Sequence, residues 1–312
     1  MNSLEEILRL SQKKLFKRLC KKFKSKILVS KGNFILVHGE APVILVAHLD
    51  TVHTEKVRDI CKSADGNILM SPQGIGGDDR CGVFALFKVY HAAKVKPYLL
   101  FTCDEEIGGQ GAKKFCRAHK QHQLPKKIND LKLIVEIDRR GKDDAVYYDC
   151  YNPDFENYIS GKGFKTAQGS FSDISVIAPE LGIAAVNLSS GYYNAHTKHE
   201  YINLAELDNT IQKVIEIIDD VSQSDFPRFE YKERLSAKKI GYLKQPETYF
   251  YEERDNLPHK IPAEFRDIYE ELLFEYSVAE LESFRAEYGD NILVQLYHET
   301  FLYAAYYDYN QK

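Results

Sequence analysis

Residues 42–50 read Pro42-Val43-Ile44-Leu45-Val46-Ala47-His48-Leu49-Asp50, an unbroken apolar run that stops on a histidine with an aspartate two positions later. A strand exposed on one face would alternate apolar and polar side chains, so a continuous Val/Ile/Leu run predicts a strand covered on both faces. Outward from it the pattern repeats. Upstream lie Ile27-Leu28-Val29 and Phe34-Ile35-Leu36-Val37 around a Lys31-Gly32-Asn33 turn; downstream come the helical VFALFKVYHAAK, the strand PYLLFTC and the helical GAKKFCRAH. The strands LKLIVEID and AVYYDC, the helix SDISVIAPEL, the strand IAAVNLS and a helix from about Leu204 to Ser222 complete residues 27–203 and their flank. Apolar strands separated by helices predict an α/β fold with a mostly parallel sheet and helices on both faces. Asn203 and Glu206 have the spacing of a capping box at the start of the last helix.

The rest of the chain excludes several classes. Of 312 residues, 44% are hydrophobic and 28% charged, with Lys+Arg 42 against Asp+Glu 46, the profile of an ordinary globular chain. No run approaches the roughly 18 apolar residues of a membrane span, and Glu5 and Glu6 stand where a signal peptide needs positive charge. A cytoplasmic protein is expected. The six cysteines are widely spaced with no C-x-x-C pair, so buried free thiols are expected rather than disulfides or a thiolate metal site. The first 25 residues are basic, but Leu4, Ile7, Leu8, Leu15, Leu19 and Phe23 recur at helical spacing, which predicts an amphipathic packing helix with solvated lysines. Nucleic-acid and membrane partners are not expected.

Composition divides the chain into a main α/β region, residues 1–225, and an appendage, residues 226–312. The second region holds 12 of the 21 tyrosines and reads as helical, after a loop-rich connector marked by Phe226-Pro227 and Asn256-Leu257-Pro258.

In open α/β sheets ligands bind beyond the carboxyl ends of the strands. Four of the apolar runs stop there on metal-ligating residue types: His48 with Asp50, Glu105 with Glu106, Asp138, and His196. Asp78 and Asp79 add an acidic pair in the turn Gly74-Ile75-Gly76-Gly77 that opens a helix. Each motif alone is weak; together they supply the mixed nitrogen and oxygen donors that paired zinc or similar ions take.

The order HLDTV, GGDDRCG, DEEIGG, EID, AHTKHE closely resembles the dinuclear zinc exopeptidase superfamily of aminopeptidases, tripeptidases and carboxypeptidases, over residues 27–222. The resemblance implies two divalent metal ions per chain, zinc first, with cobalt or manganese accepted by the same donors. It implies that His48 and Asp138 hold one ion, Glu106 and His196 the other, and that Asp78 bridges them. Asp50 would orient His48, Glu105 would be the general base acting on a hydroxide shared by the ions, and Glu200 would stand behind the ligands. The Asp78-Asp79 peptide bond is typically cis in the family. The short spacings from His48 to Asp78 and from Asp138 to His196 leave no room for the domains that many members insert there.

Flanking residues stay open. Arg139 or Arg140 could grip a substrate carboxylate or form surface ion pairs, Tyr193 (or Tyr192) could face an oxyanion or pack, and Ser172 and Asp173 could line the pocket or cap a helix. The resemblance places an aminopeptidase or tripeptidase acting on short peptides first, and a carboxypeptidase or N-acyl-amino-acid deacylase second. A non-catalytic binding protein is the reading of another class, and a homo-oligomer is compatible with all of them.

Overall fold

The computed structural model describes residues 3–233, 269, 272, 278–290 and 292–297. It divides into two compact units, Met1–Arg234 and Leu235–Lys312.

The first unit opens with helices α1 (Leu4–Leu8) and α2 (Gln12–Lys22), then strands β1 (Ile27–Ser30), β2 (Phe34–Val37), β3 (Val43–His48), β4 (Cys61–Lys62) and β5 (Ile68–Met70). Next come α3 (Gly77–Ala92), β6 (Tyr98–Thr102), α4 (Gln110–Lys120), β7 (Leu133–Arg139), β8 (Asp144–Val146), α5 (Pro153–Gly161), β9 (Lys165–Ala167) and α6 (Asp173–Leu181). β10 (Ala185–Ser189), β11 (Tyr192–Tyr193), β12 (Tyr201–Asn203) and α7 (Leu204–Val221) complete it. Eight strands form one sheet in the order β1-β2-β6-β3-β7-β10-β8-β9. Its four central strands, β6, β3, β7 and β10, run parallel, and β1, β2 and β8 join antiparallel.

Burial on both faces explains the continuous apolar runs. β3 sends Val43, Leu45 and Ala47 into one core with α1, α2, α3 and α7, and Ile44 and Val46 into a second core with α4 and α6. β7 divides likewise, Leu133, Val135 and Ile137 against Ile134, and the place of the next residue on that second face is taken by Glu136, wholly buried. The fold class expected from sequence is the one observed.

Four details differ from the expectation. The basic N-terminal helix is two helices broken at residues 9–11, although all six of its anchoring apolar residues are buried as expected. A small antiparallel sheet, β11-β12-β5-β4, lies beside the main one; its strands of two or three residues are too short to carry a period. The first unit also runs past residue 225. Ile183 bridges to Glu230 and Cys150 to Glu233, and Phe229 is buried against Phe155 and Tyr158, so this stretch belongs to the sheet domain and not to the appendage. Of the half-capping signals, Asn203 accepts from the Glu206 amide, while the Glu206 carboxylate turns instead to Tyr193.

Cys81, Cys103, Cys116 and Cys150 are buried, Cys20 is half-buried and Cys61 is exposed. No helix among the described residues is long and apolar enough to cross a membrane. In the second unit α8 (Val278–Tyr288) and α9 (Ile292–Tyr297) enclose a cluster of Tyr269, Leu272, Leu281, Leu293 and Leu296. The connector expected around Asn256-Leu257-Pro258, and most of the tyrosine-rich segment, lie outside the described residues.

Candidate metal centre

The carboxyl ends of β3, β6, β7 and β10 converge, and the sequence motifs meet there. β3 ends on His48, completely buried, and β7 carries Asp138 near its end, also buried. After β6 the chain turns through Asp104, in the left-handed region at φ 60, into Glu105 and Glu106. After β11 it turns through Asn194 and His196, both again left-handed, at φ 54 and φ 65. Asp78 lies in the turn into α3, where its backbone and that of Asp79 are non-helical and the bond between them is cis. Gly76 opens this turn at φ 67, a conformation an L side chain resists.

Asp78 links the two histidines. Its Oδ1 lies 3.0 Å from His48 Nε2 and its Oδ2 lies 3.3 Å from His196 Nε2. Around them Asp138 Oδ1 is 3.6 Å from His48 Nε2, and Glu106 Oε2 is 3.2 Å from His196 Nε2. The side chains thus fall into two groups capable of holding an ion, His48 with Asp78 and Asp138, and His196 with Asp78 and Glu106; His48 with Glu105 and Glu106 forms a third cluster.

Hydrogen bonds fix the first group from behind. Asp50 Oδ1 lies 3.3 Å from His48 Nδ1, and the same carboxylate accepts the backbone amides of Glu105 and Glu106 at 3.1 and 3.0 Å. One side chain therefore orients the imidazole and seats the acidic loop. Asn187 pairs with the backbone of Asp138 in both directions, and the buried Tyr192 hydroxyl donates to the Asp138 carbonyl at 3.2 Å. Asp79 accepts the His48 amide at 3.2 Å and the Gly82 amide at 2.8 Å.

Glu200, completely buried, holds the turn of Asp78. Its Oε1 accepts the Asp78 amide at 3.0 Å, and its Oε2 accepts the Gly76 amide at 2.9 Å and meets His53 Nε2 at 2.7 Å. His53 fits no motif in the sequence. Only the fold brings it within reach of a residue far along the chain, although its place just after His48-Leu49-Asp50 is the one local signal.

The electrostatics are those of crowded carboxylates with too little positive charge. Burial first, opposed by His48 and reinforced by Asp138, Asp173 and Glu106, pushes Glu105 up to about 9. Burial and the neighbouring Asp78 push Asp138 up to about 8. Asp78 is held well below the usual carboxylate range because hydrogen bonds from both histidines outweigh its burial. For His196, the bonds to Asp78 and then Glu106 raise the imidazole to about 11. Buried Glu106 Oε1 has no hydrogen-bond partner among the described residues. An orphaned buried carboxylate oxygen beside two histidines and a shared aspartate is the donor chemistry a divalent cation satisfies, so the residues fit metal ions.

The remaining candidates point elsewhere. Arg139 donates to the Gln168 carbonyl at 3.0 Å and approaches Asp144 at 3.6 Å, while Arg140 is exposed. Tyr193 donates to Glu206 at 2.6 Å and stacks on Tyr201, leaving Tyr192 as the tyrosine that touches Asp138. Ser172 precedes α6, its amide donating to Ser175 Oγ and its hydroxyl to buried Glu136. Asp173 is buried, bonded to Thr102. Of the two histidines near Glu200, His196 joins the cluster, whereas His199 is exposed.

An aminopeptidase PepT from Bacillus cereus is similar in structure at TM-score 0.55 and 16% identity, over 70% of this chain and 97% of that one. The chain shares its fold. A tripeptidase from Staphylococcus aureus matches at TM-score 0.54 and 16% identity, over 71% of this chain and 97% of that one. An aminopeptidase from the archaeon Desulfurococcus kamchatkensis matches at TM-score 0.52 and 15% identity, over 69% and 93%. No protein-family model and no curated protein matches the sequence.

Proposed function

We propose that the chain is a metal-dependent exopeptidase of the dinuclear zinc exopeptidase superfamily, an aminopeptidase or tripeptidase acting on short peptides. The observation that carries this reading is Asp78, which turns one oxygen to His48 and the other to His196. A carboxylate placed between two separate donor groups suits two cations and has no comparable use in a binding protein without them. The fold shared with the aminopeptidase PepT and the tripeptidase supports the same reading.

His48 and Asp138 would hold one ion, Glu106 and His196 the other, and Asp78 both. Zinc, cobalt and manganese all accept this donor set, zinc best matching its histidines and carboxylates. When bound, the ions would act as Lewis acids toward the scissile carbonyl and make water acidic enough to attack it.

The chain's own residues supply the rest. Asp50 fixes the His48 ring so that Nε2 faces the site, and holds the acidic loop through two amides. Glu105, in that loop and buried, takes the proton of the attacking water and returns it to the leaving amine. Burial and the neighbouring carboxylates push Glu105 up in the metal-free site, so its role as base requires the positive charge of bound cations to bring it down again. The surplus of carboxylates suits a free α-ammonium. For this reason the aminopeptidase end is preferred; Arg139 gives Nη2 to the Gln168 carbonyl, and its Nε lies 3.6 Å from Asp144 with no hydrogen-bond partner among the described residues.

Glu105→Gln tests the assignment. Turnover of a free-amine tripeptide is expected to fall by about 10²–10⁴-fold, the range of general-base catalysis, with metal content per chain unchanged. Near wild-type turnover in this variant contradicts the role given to Glu105.

A further inference from the structure

We propose that Gln12, the first residue of α2, is a positioning residue that sets the acidic loop carrying Glu105 and Glu106. The amphipathic N-terminal segment would then be part of the site and not only a packing element.

Two hydrogen bonds join Gln12 to Asp104. Gln12 Nε2 donates to Asp104 Oδ1 at 2.7 Å, and the Asp104 amide donates to Gln12 Oε1 at 3.1 Å. The carboxamide thus closes a ring on both the side chain and the backbone of one residue, which a single point contact could not do. Asp104 needs such support, because it sits at φ 60, where a residue with a Cβ is held by its surroundings. Asn33 Nδ2 donates to the second Asp104 oxygen at 3.3 Å, and Lys114 Nζ holds Asn33 at 2.6 Å. The next two residues along the chain are Glu105 and Glu106, whose amides rest on Asp50. The loop is therefore gripped at its entry by Gln12 and further along by Asp50.

The grip is anchored at both ends. Leu15, Leu19 and Phe23 bury the far side of α2 and its C-cap, so Gln12 stands on a fixed helix. Arg80, buried in α3, donates from Nη2 to the Leu10 carbonyl at 3.0 Å and from Nη1 to the Leu49 carbonyl. That guanidinium ties the turn before Gln12 to the residue after His48. Between residues 8–12 and the Asp50, Thr51 and His53 wall lies a cavity of about 290 Å³. Along this stretch Leu8 and Leu10 pack on the core that holds Leu49 and Ile75, while Gln12 reaches the acidic loop through polar bonds.

The activity arm of the test rests on the peptidase reading; the other two arms do not. Gln12→Ala, Gln12→Glu and, as control, the exposed Lys13→Ala are compared with wild type. The readouts are amide hydrogen exchange of Asp104, Glu105 and Glu106 in metal-free protein, Co²⁺ titration of the full chain, and kcat and KM on a tripeptide. In Gln12→Ala exchange at Asp104 and Glu105 is expected to quicken about tenfold, the order of one lost hydrogen bond to a backbone amide. The weaker Co²⁺ step is expected to weaken by a similar factor, and kcat to fall about tenfold with KM changed less than about twofold. Gln12→Glu keeps the size of the side chain but sets a carboxylate against Asp104, and is expected to fall further. Lys13→Ala is expected to leave all three readouts alone. Unchanged exchange and Co²⁺ affinity in both Gln12 variants overturn the proposal, as does faster exchange spread evenly over α2 and the sheet. If wild-type protein binds two Co²⁺ but cleaves no peptide, the peptidase reading fails, and Gln12 is still judged by exchange and metal affinity.

Discussion

His48 is wholly buried at the end of a central strand, whereas the His196 side chain is 53% exposed on a left-handed turn beyond β11. Their partners differ in the same way. Asp138 lies in β7 with Asn187 bonded to its backbone, and Asp50 braces the His48 ring. Glu106 lies in a loop and leaves one buried oxygen without a partner among the described residues. Strands and helices hold side chains closely, and loops hold them less so. One half of the candidate centre is set by the sheet, and the other stands on loops around an unpartnered carboxylate oxygen. Asp78 stands between them, and Glu200 sets its turn.

That contrast can be broken most severely at its hinge. Asp78→Ala is expected to lose both ions and all turnover, measured by elemental analysis and peptide cleavage; retention of two ions would show that the halves do not depend on a shared carboxylate. His196→Ala is expected to keep one tightly held ion and lose the second, whereas His48→Ala is expected to lose the tighter one, as read by stepwise Co²⁺ titration. The reverse order would mean that exposure, not strand anchoring, governs affinity. Asp50→Asn is expected to weaken metal binding by about 10–100-fold, the usual cost of removing a group that orients a ligating histidine.

The smallest effect is a proton count. Without metal, Asp78 and Glu106 hold the His196 imidazole protonated, its pKa raised to about 11. That charge stabilises the metal-free fold fully below the unfolded value and is lost as pH rises through about 11. A ligating imidazole must be neutral, so loading the His196 half at neutral pH should release about one proton. Calorimetry in buffers of different ionisation enthalpy measures it, and no release there would mean that His196 is neutral beforehand.

Much of this was legible from the residues. Two-sided burial writes itself into apolar runs such as 43–47, and the runs end at the carboxyl edge of the parallel sheet, so both the fold and the candidate donors that gather there could be read along the chain. His48 and Asp50 were readable because the apolar run stops on them at the carboxyl end of a strand. Contacts between distant parts of the chain were not. The His53–Glu200 pair and the Gln12–Asp104 ring join residues with no common period, and Gln12 sits in a helix whose apolar spacing speaks only of packing. Glu136 hid inside an apolar strand, where its burial against Ser172 depends on α6. Composition changes at residue 226, whereas the backbone bridges at Glu230 and Glu233 continue the first unit.

Elemental analysis of the dialysed protein, paired with release of product from a free-amine tripeptide with and without chelator, tests the two-metal peptidase reading most directly. About two divalent ions per chain are expected, with cleavage that chelator abolishes and zinc, cobalt or manganese restores. No bound metal, and no cleavage after any of the three is added, would contradict that reading.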